Sequence, residues 1–147
     1  MMENKVTYIV IELILLNKMK KLLLLLLCVP LIGFGQTSEE YFDKGVEYGK
    51  NGDYQLAIDN FTRAIRIDPD YADAYYNRGN LYNALGNYED AIADYTRAIR
   101  IDPDYANAYR NRGIAKEYSG LPYCSDYIKA CDLGDKECCE WYNNQCR

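Results

Sequence analysis

The sequence contains no histidine among its 147 residues. Imidazole is the side chain that most often moves protons at neutral pH, so its absence counts against many hydrolase mechanisms. Mechanisms that rely on carboxylates or thiols remain, and each of them needs its own constellation of residues.

The chain also lacks any run that is dense in lysine and arginine. It carries 17 basic and 22 acidic residues. Without the four lysines and two glutamates of residues 1–35, 13 basic and 20 acidic residues remain, a net charge of about −7. Affinity for nucleic acid comes largely from neutralising phosphates, so nucleic acid is not expected as a partner.

Residues 19–35 have the three parts of a secretory signal peptide. Lys20 and Lys21 open it, a leucine-rich run follows, and a small-x-small sequence ends it at Gly35. Cleavage there would leave Gln36 as the first residue. We expect an exported protein, periplasmic or secreted, from a bacterium.

Residues 1–18 hold a second apolar stretch before this signal. Our interpretation is that translation begins at Met19 and that residues 1–18 are a mis-called start. The alternative is an uncleaved anchor that keeps the protein on the membrane. The lysines between the two apolar stretches argue against one continuous span, and a cleaved signal would leave no membrane span in the mature form.

The rest of the chain repeats itself. Residues 62–79 (TRAIRIDPDYADAYYNRG) recur 34 positions later as residues 96–113 (TRAIRIDPDYANAYRNRG). A fixed period of this length indicates a solenoid, whose units bury their apolar faces only by stacking. The predicted units are residues 38–71, 72–105 and 106–133.

Each unit is predicted to be a helical hairpin. In the second unit, Asp70 would cap a helix that begins near Ala72 and ends at Gly86, which can adopt the left-handed conformation. A second helix is expected from Tyr88 to Ile101, because its small and apolar residues form one stripe. The following Asp-Pro sequence disfavours helical geometry and ends it.

The pattern resembles the tetratricopeptide repeat (TPR). In the first unit the matching positions are Tyr41, Gly45, Tyr48, Ala57, Phe61, Ala64 and Pro69. In the second they are Tyr75, Gly79, Tyr82, Ala91, Tyr95, Ala98 and Pro103. The third unit is degenerate: it keeps Tyr109 and Gly113, but Lys116 replaces the second tyrosine and no closing proline follows. The resemblance implies an all-α TPR-type solenoid in which the residues that match the repeat pattern pack the core.

The resemblance also implies a binding groove, lined by the first helix of each unit, that takes a peptide or a partner helix. By register the groove positions are Glu39, Phe42, Asp43, Val46, Asp73, Tyr76, Asn77, Asn80, Asn107, Arg110, Asn111 and Ile114. Asparagine amides suit the backbone of an extended peptide, and Arg110 could engage a carboxylate.

One class of ligand is disfavoured by the same register. Repeats of this family that hold chaperone C-termini carry Lys and Asn in the first unit and Lys or Arg in the third. Here Phe42 and Val46 stand at the former positions, and Asn107 and Asn111 at the latter. We therefore do not expect a receptor for chaperone tails.

Five cysteines lie in the last 24 residues: Cys124, Cys131, Cys138, Cys139 and Cys146. In an exported protein such a cluster favours disulfides. The spacing lacks Cys-x-x-Cys, which counts against a zinc site and against a thioredoxin-like active site. We predict disulfides and no metal, with redox chemistry at Cys138 and Cys139 as the weaker alternative.

The spacing of these cysteines limits their pairing. A helix over residues 123–133 and another over 136–145 would form an antiparallel hairpin, in which positions equidistant from the turn face each other. Cysteines seven apart on one helix are about 10 Å apart, too far for a disulfide. The predicted pairs are Cys124–Cys146 and Cys131–Cys139, with Cys138 as the alternative partner of Cys131. Residues 134–147 would then cap the solenoid, with Trp141 and Tyr142 packed against the third unit.

The predicted function is an exported scaffold that binds a protein or peptide in its groove. No catalytic residue and no cofactor is predicted, because Asp68, Asp70, Asp102 and Asp104 lie beside the prolines, where turn chemistry explains them. The alternatives are a structural element that self-associates into homo-oligomers, and the thiol-redox protein.

Overall fold

The computed structural model describes residues 36–146, so the predicted signal peptide and the segment before it lie outside the described residues. The described part contains seven α-helices and no strand, which confirms the all-α prediction. In chain order they are α1 (Ser38–Asn51), α2 (Tyr54–Ile67), α3 (Ala72–Ala84), α4 (Tyr88–Ile101), α5 (Ala106–Tyr118), α6 (Cys124–Asp132) and α7 (Lys136–Gln145). No helix among them is long and apolar enough to cross a membrane.

The helices form three successive hairpins, α1–α2, α3–α4 and α5–α6, and α7 packs on α6. Helix α1 also contacts α3, and α3 contacts α5, whereas no comparable contact joins α2 to α4 or α4 to α6 within the described residues. The stack therefore bends toward the odd-numbered helices. We call their exposed surface the inner face.

The start of α3 differs from the prediction. Its N-cap is Tyr71, and no side chain caps the helix, so the predicted capping role of Asp70 is wrong. The Asp68 carboxylate instead accepts the backbone N–H of Asp70 at 3.0 Å, which folds the Asp-Pro-Asp sequence into a turn. The Asp70 carboxylate faces outward to Arg97, 3.5 Å away.

Glycine is needed where two helices approach closely and where the chain reverses direction, and the second unit has an example of each. Gly86 has φ of 77°, the left-handed conformation predicted for the end of α3. At Gly79 a Cβ atom would lie only 2.9 Å from the Tyr95 ring, so α3 and α4 approach this closely because the side chain is absent.

The third unit is more complete than the sequence pattern indicated. Helix α6 carries Asp126-Tyr127 and Ala130 where α4 carries Asp94-Tyr95 and Ala98, but 32 residues later instead of 34. Tyr127 packs against Gly113 as Tyr95 packs against Gly79. The repeat therefore continues through α6 with two residues fewer between Gly120 and Asp126 than between Gly86 and Asp94. The shortening falls at the start of the helix, because α6 begins only at Cys124.

A half-buried arginine joins each of the second and third units to the unit before it. Arg78 on α3 binds both carboxylate oxygens of Asp94 at 2.8 Å, and its third nitrogen donates to the hydroxyl of Thr62 on α2, also at 2.8 Å. Its guanidinium lies over the rings of Tyr75 and Tyr82. We call this arrangement of arginine, aspartate and threonine the clasp.

The clasp recurs one unit later. Arg112 on α5 binds Asp126 through two nitrogens, at 2.6 and 3.1 Å, and donates to Thr96 on α4 at 3.1 Å. Lys116 stands where Tyr82 stands in the second unit, and its ammonium lies 2.8 Å from Asp126. The departure from the tyrosine pattern thus adds a second cation to a carboxylate that is only 4% exposed.

Two disulfides hold α7 onto α6. Cys124 is bonded to Cys146 with 5.8 Å between Cα atoms, and Cys131 to Cys139 with 4.8 Å. These are the predicted pairs, and the helices end within a residue or so of the predicted bounds. Cys138 keeps a free thiol.

Aromatic rings fill the space between the cap and the third unit. The Trp141 ring centroid lies 5.0 Å from that of Tyr127 and 5.8 Å from that of Tyr123. Tyr142 packs against the same cluster. Trp141 and Tyr142 therefore have the capping role expected of them.

Asp126→Asn should destabilise the fold strongly, because it leaves Arg112 and Lys116 partly buried with no anionic partner. Loss of one member of a buried ion pair typically costs about 3–5 kcal/mol. The measurement is the free energy of unfolding from urea titration. Asp132→Asn, on the exposed side of the same helix, is the control and should change it by less than about 0.5 kcal/mol. Equal effects of the two substitutions would contradict a stabilising clasp.

The two disulfides should differ in the stability that they contribute. They close segments with sequence separations of 22 and 8 residues, for which chain entropy gives roughly 3.4 and 2.5 kcal/mol. Replacing Cys124 and Cys146 by serine should therefore lower the free energy of unfolding more than replacing Cys131 and Cys139. The reverse order would show that local strain or residual structure outweighs loop length.

Candidate peptide-binding groove

The inner face has two furrows separated by a closed middle. The first furrow lies between α1 and α3, and the last lies between α5 and α7. Each has an aromatic ring among its walls, Phe61 in the first and Tyr127 in the last. Between α3 and α5 polar side chains fill the space instead.

The first furrow is small and mostly apolar. It has a volume of about 270 Å³ and is lined by Val46, Asn77, Asn80 and Leu81, besides Phe61 and residues of α1. Val46 and the two asparagines were predicted as groove residues, and the structure brings them together. The Asn77 amide donates to the carbonyl of Asp73 in its own helix at 2.8 Å.

A polar network closes the middle of the inner face. The Asn111 amide donates to the Asn80 side-chain oxygen at 2.8 Å and to the Tyr76 hydroxyl at 3.1 Å. The Tyr95 hydroxyl donates to the same Asn80 oxygen at 2.8 Å. Three predicted groove residues, Tyr76, Asn80 and Asn111, therefore bind one another and hold α3 against α5.

The last furrow is the larger of the two, with a volume of about 480 Å³. Its walls combine apolar and charged side chains: Arg110, Ile114, Glu117, Tyr118, Tyr127, Glu137, Cys138 and Trp141. Only Arg110 and Ile114 belong to the predicted groove set. A furrow of this size can take one large apolar side chain and its neighbours.

Two predicted aromatic groove residues are used to pack successive units together. The Phe42 ring stacks on Tyr71 with centroids 4.9 Å apart, and the Tyr76 ring lies 4.8 Å from Tyr105. Tyr71 and Tyr105 precede α3 and α5 at equivalent positions. Phe42 and Tyr76 thus offer a ligand only an edge, because neighbouring rings cover their faces.

Two acidic side chains of the inner face are held by tyrosine hydroxyls. The Tyr105 hydroxyl donates to the Asp73 carboxylate at 2.6 Å, and the Tyr127 hydroxyl donates to the Glu117 carboxylate at 3.2 Å. Burial and the adjacent carboxylate raise the pKa of both Tyr105 and Tyr127 well above the ordinary tyrosine value. Both hydroxyls therefore remain protonated donors, which fixes the position of each carboxylate.

Arg110 already has carboxylate partners within its own chain. One of its guanidinium nitrogens lies 3.1 Å from Asp135 and 3.3 Å from Glu137, and the other donates to the Asn107 side-chain oxygen at 3.4 Å. The carboxylate that Arg110 was expected to engage is thus supplied by the turn before α7. Glu39 and Asp43, the remaining predicted positions, are exposed on α1.

Cys138 lacks the features of a reactive thiol. Its side chain is 2% exposed, and its neighbour Cys139 is bonded to Cys131. Burial, together with Asp135, raises the pKa of the Cys138 thiol to about 12. Nucleophilic cysteines need the opposite, an accessible thiol with a lowered pKa, so this geometry counts against the thiol-redox alternative. No group of three or more metal-ligating side chains comes together among the described residues.

Cys138 should resist alkylation in the folded protein. Raising the pKa from 9 to about 12 lowers the thiolate fraction at pH 8 about a thousandfold, and burial slows access further. Iodoacetamide labelling, followed by intact mass, should be at least about a hundredfold slower than in guanidinium without reductant. Rapid single labelling of the native protein would contradict this assignment.

The sequence analysis did not identify the clasp residues or two walls of the last furrow. The clasp arginines Arg78 and Arg112 recur 34 residues apart, and each precedes an aspartate by 16 or 14 residues. That recurrence could have predicted the two ion pairs, once the third unit was aligned with two residues fewer than the second. No comparable signal pointed to Glu117 and Glu137 as walls of the last furrow, because they come from different units.

The stacked hairpins and the furrowed inner face define a helical-repeat scaffold. Residues 42–106 match the family described as tetratricopeptide repeat. The second TPR domain of human RPAP3, solved by NMR in complex with the HSP70 peptide SGPTIEEVD, is similar with a TM-score of 0.68 and 30% identity. That similarity covers 73% of this chain and 92% of the RPAP3 domain. The chain belongs to the tetratricopeptide-repeat family.

Two further proteins are similar over parts of their length. MamA, known from a crystal structure, has a TM-score of 0.65 and 34% identity over 69% of this chain and 60% of its own. An uncharacterised protein of Methanocaldococcus jannaschii is 46% identical over 37 residues, which are 25% of this chain and 43% of the archaeal protein. The chain thus spans less than two thirds of either relative.

Proposed function

We propose that this protein is a binding scaffold that takes an extended peptide segment of a partner protein across its inner face. The observation that carries the proposal is the pair of open furrows, about 270 and 480 Å³, on either side of the Tyr76–Asn80–Asn111 network. The furrows can accept side chains. The network is held by its own hydrogen bonds and offers a fixed surface to the peptide backbone.

The relatives support the same kind of ligand. The second TPR domain of human RPAP3 binds an HSP70 peptide, and a TPR domain of Spaghetti (RPAP3) binds an HSP90 peptide. The groove of this chain lacks the lysines that the family uses for chaperone tails. We therefore propose a peptide ligand of different chemistry.

The cysteine pairs support a place outside the cytoplasm. Disulfides persist in oxidising compartments such as the bacterial periplasm and are rare in reducing ones. Two of them staple the last 24 residues, which agrees with the predicted signal peptide. We propose an exported scaffold that works in the cell envelope or beyond it.

The proposal is tested by filling the furrows. Val46→Trp and Ile114→Trp place a large side chain in the first and the last furrow respectively, without disturbing the network between them. Binding of peptides selected from a random library, measured by calorimetry, should weaken at least about tenfold in each variant, since the furrow walls contact the ligand.

A matched control lies on the opposite surface. Ile128→Trp makes the same substitution as Ile114→Trp but on α6, where the side chain is 38% exposed. Peptide affinity should be unchanged in this variant, and all three proteins should retain the helical circular dichroism of the parent. Equal loss in Ile114→Trp and Ile128→Trp would refute binding in the groove.

A further inference from the structure

The odd-numbered helices, whose exposed surface is the inner face, carry more acidic than basic side chains. Together with the turn before α7 they hold nine carboxylates: Glu39, Glu40, Asp43, Glu47, Asp73, Glu117, Asp135, Glu137 and Glu140. Apart from the three cations that bind Asp94 or Asp126, they hold four cations: Lys44, Lys50, Arg110 and Lys136. Arg110 is already bound to Asp135 and Glu137. These helices therefore present an excess of five negative charges.

Two of these carboxylates are fixed in place but not neutralised. Asp73 and Glu117 accept hydrogen bonds from Tyr105 and Tyr127, which carry no charge. Among the described residues, neither carboxylate has a lysine or arginine nitrogen within 4.0 Å. An anion that is oriented and lacks a cation is a preorganised partner for a ligand's lysine or arginine.

The last furrow places such an anion beside an apolar wall. Glu117 and the Arg110–Glu137 ion pair line a space that Ile114, Trp141 and Tyr127 also line, and of these charged groups Glu117 is the one without a cation. Trp141 and Tyr127 are the best residue types for packing against an aliphatic stem or a cationic head group. A peptide with an apolar side chain next to a basic one can contact both the apolar wall and the unpaired Glu117 carboxylate of this furrow.

We propose that the last furrow selects a cationic peptide segment in which a large apolar residue adjoins lysine or arginine. The apolar side chain packs on Ile114 and Trp141, and the basic side chain pairs with Glu117 and lies near Glu137, which it shares with Arg110. The proposal rests on the proposed function and narrows its ligand class. It sets this groove apart from that of the RPAP3 domain, whose peptide SGPTIEEVD ends in acidic residues.

The single tryptophan of the chain makes the proposal measurable. Trp141 lines the last furrow, so its fluorescence reports occupancy of that furrow alone. A phage-displayed library of random nonapeptides is selected on the disulfide-bonded protein, and an enriched sequence without tryptophan is synthesised. Calorimetry then measures binding anywhere on the protein, while Trp141 emission measures binding in this furrow.

The expected result is enrichment of positively charged sequences with an apolar residue beside lysine or arginine, binding that weakens as salt rises, and a change in Trp141 emission. Enrichment of acidic or uncharged sequences, or binding by calorimetry that leaves Trp141 emission unchanged, would overturn this inference and leave the proposed function standing. No enrichment of any sequence would overturn both.

A pair of matched charge variants tests the carboxylates themselves. Glu117→Gln with Glu137→Gln keeps both hydrogen-bonding side chains and removes two charges from the furrow. It should weaken the selected peptide at least about tenfold and reduce the salt dependence. Glu89→Gln with Asp132→Asn removes the same charge from α4 and α6 and should change affinity less than about twofold. Equal effects of the two pairs would show a general charge effect and overturn the assignment to this furrow.

Discussion

The clasp between units is the contact on which the rest of the structure depends. The core of this domain is thin: apart from Phe61, Tyr95, Tyr127 and Ile58, its fully buried apolar side chains are mainly alanines, with Cys138 in the cap. Contacts between alanines let helices approach closely, but they do not fix how one unit is positioned on the next. The arginine does so, because its guanidinium binds an aspartate of its own unit and a threonine of the unit before. A buried ion pair is costly to desolvate and is tolerated where its geometry is complete.

Within the described residues, the clasp is absent from the first unit and from the contact between α6 and α7. In the first unit Lys44 and Asn60 occupy the positions of Arg78 and Asp94, so no arginine–aspartate pair can form there. At the other end Ile128 occupies the position of Thr96. On α7 the buried Cys138 corresponds to the buried Ala108 of α5, so Tyr142 occupies the position of Arg112. The contact between α6 and α7 therefore has neither the arginine nor the threonine of the clasp. The two disulfides hold α7 in place instead, together with the Trp141–Tyr127 contact.

Sequence reasoning predicted the parts of this molecule that local chemistry decides. Helix bounds in the second unit followed from periodicity, Gly86 and Pro103, and the cysteine pairs followed from the geometry of a short hairpin. It placed the third unit at residues 106–133 but did not identify Asp126, Tyr127 and Ala130 as repeat positions, because they follow their equivalents by 32 residues instead of 34. It also failed to show that Tyr76, Asn80 and Asn111 bind one another, since that depends on how closely α3 and α5 approach. The repeat register predicts which residues lie on the inner face, but only the packing of the helices shows which of these side chains are free to bind a ligand.

A comparison of the two nearly identical stretches, residues 62–79 and 96–113, distinguishes the residues that build the scaffold from those that vary on the inner face. Over 18 aligned residues they differ at two positions only, Asp73 against Asn107 and Tyr76 against Arg110, and both positions lie on the inner face. The second difference decides the shape of that face. Tyr76 stacks on Tyr105 and closes the space between α3 and α5, whereas Arg110 meets Asp135 and Glu137 at the edge and leaves the last furrow open. The exchange of tyrosine for arginine thus accompanies the larger of the two furrows, and Asp135 and Glu137, which lie at the start of α7, add negative charge beside it.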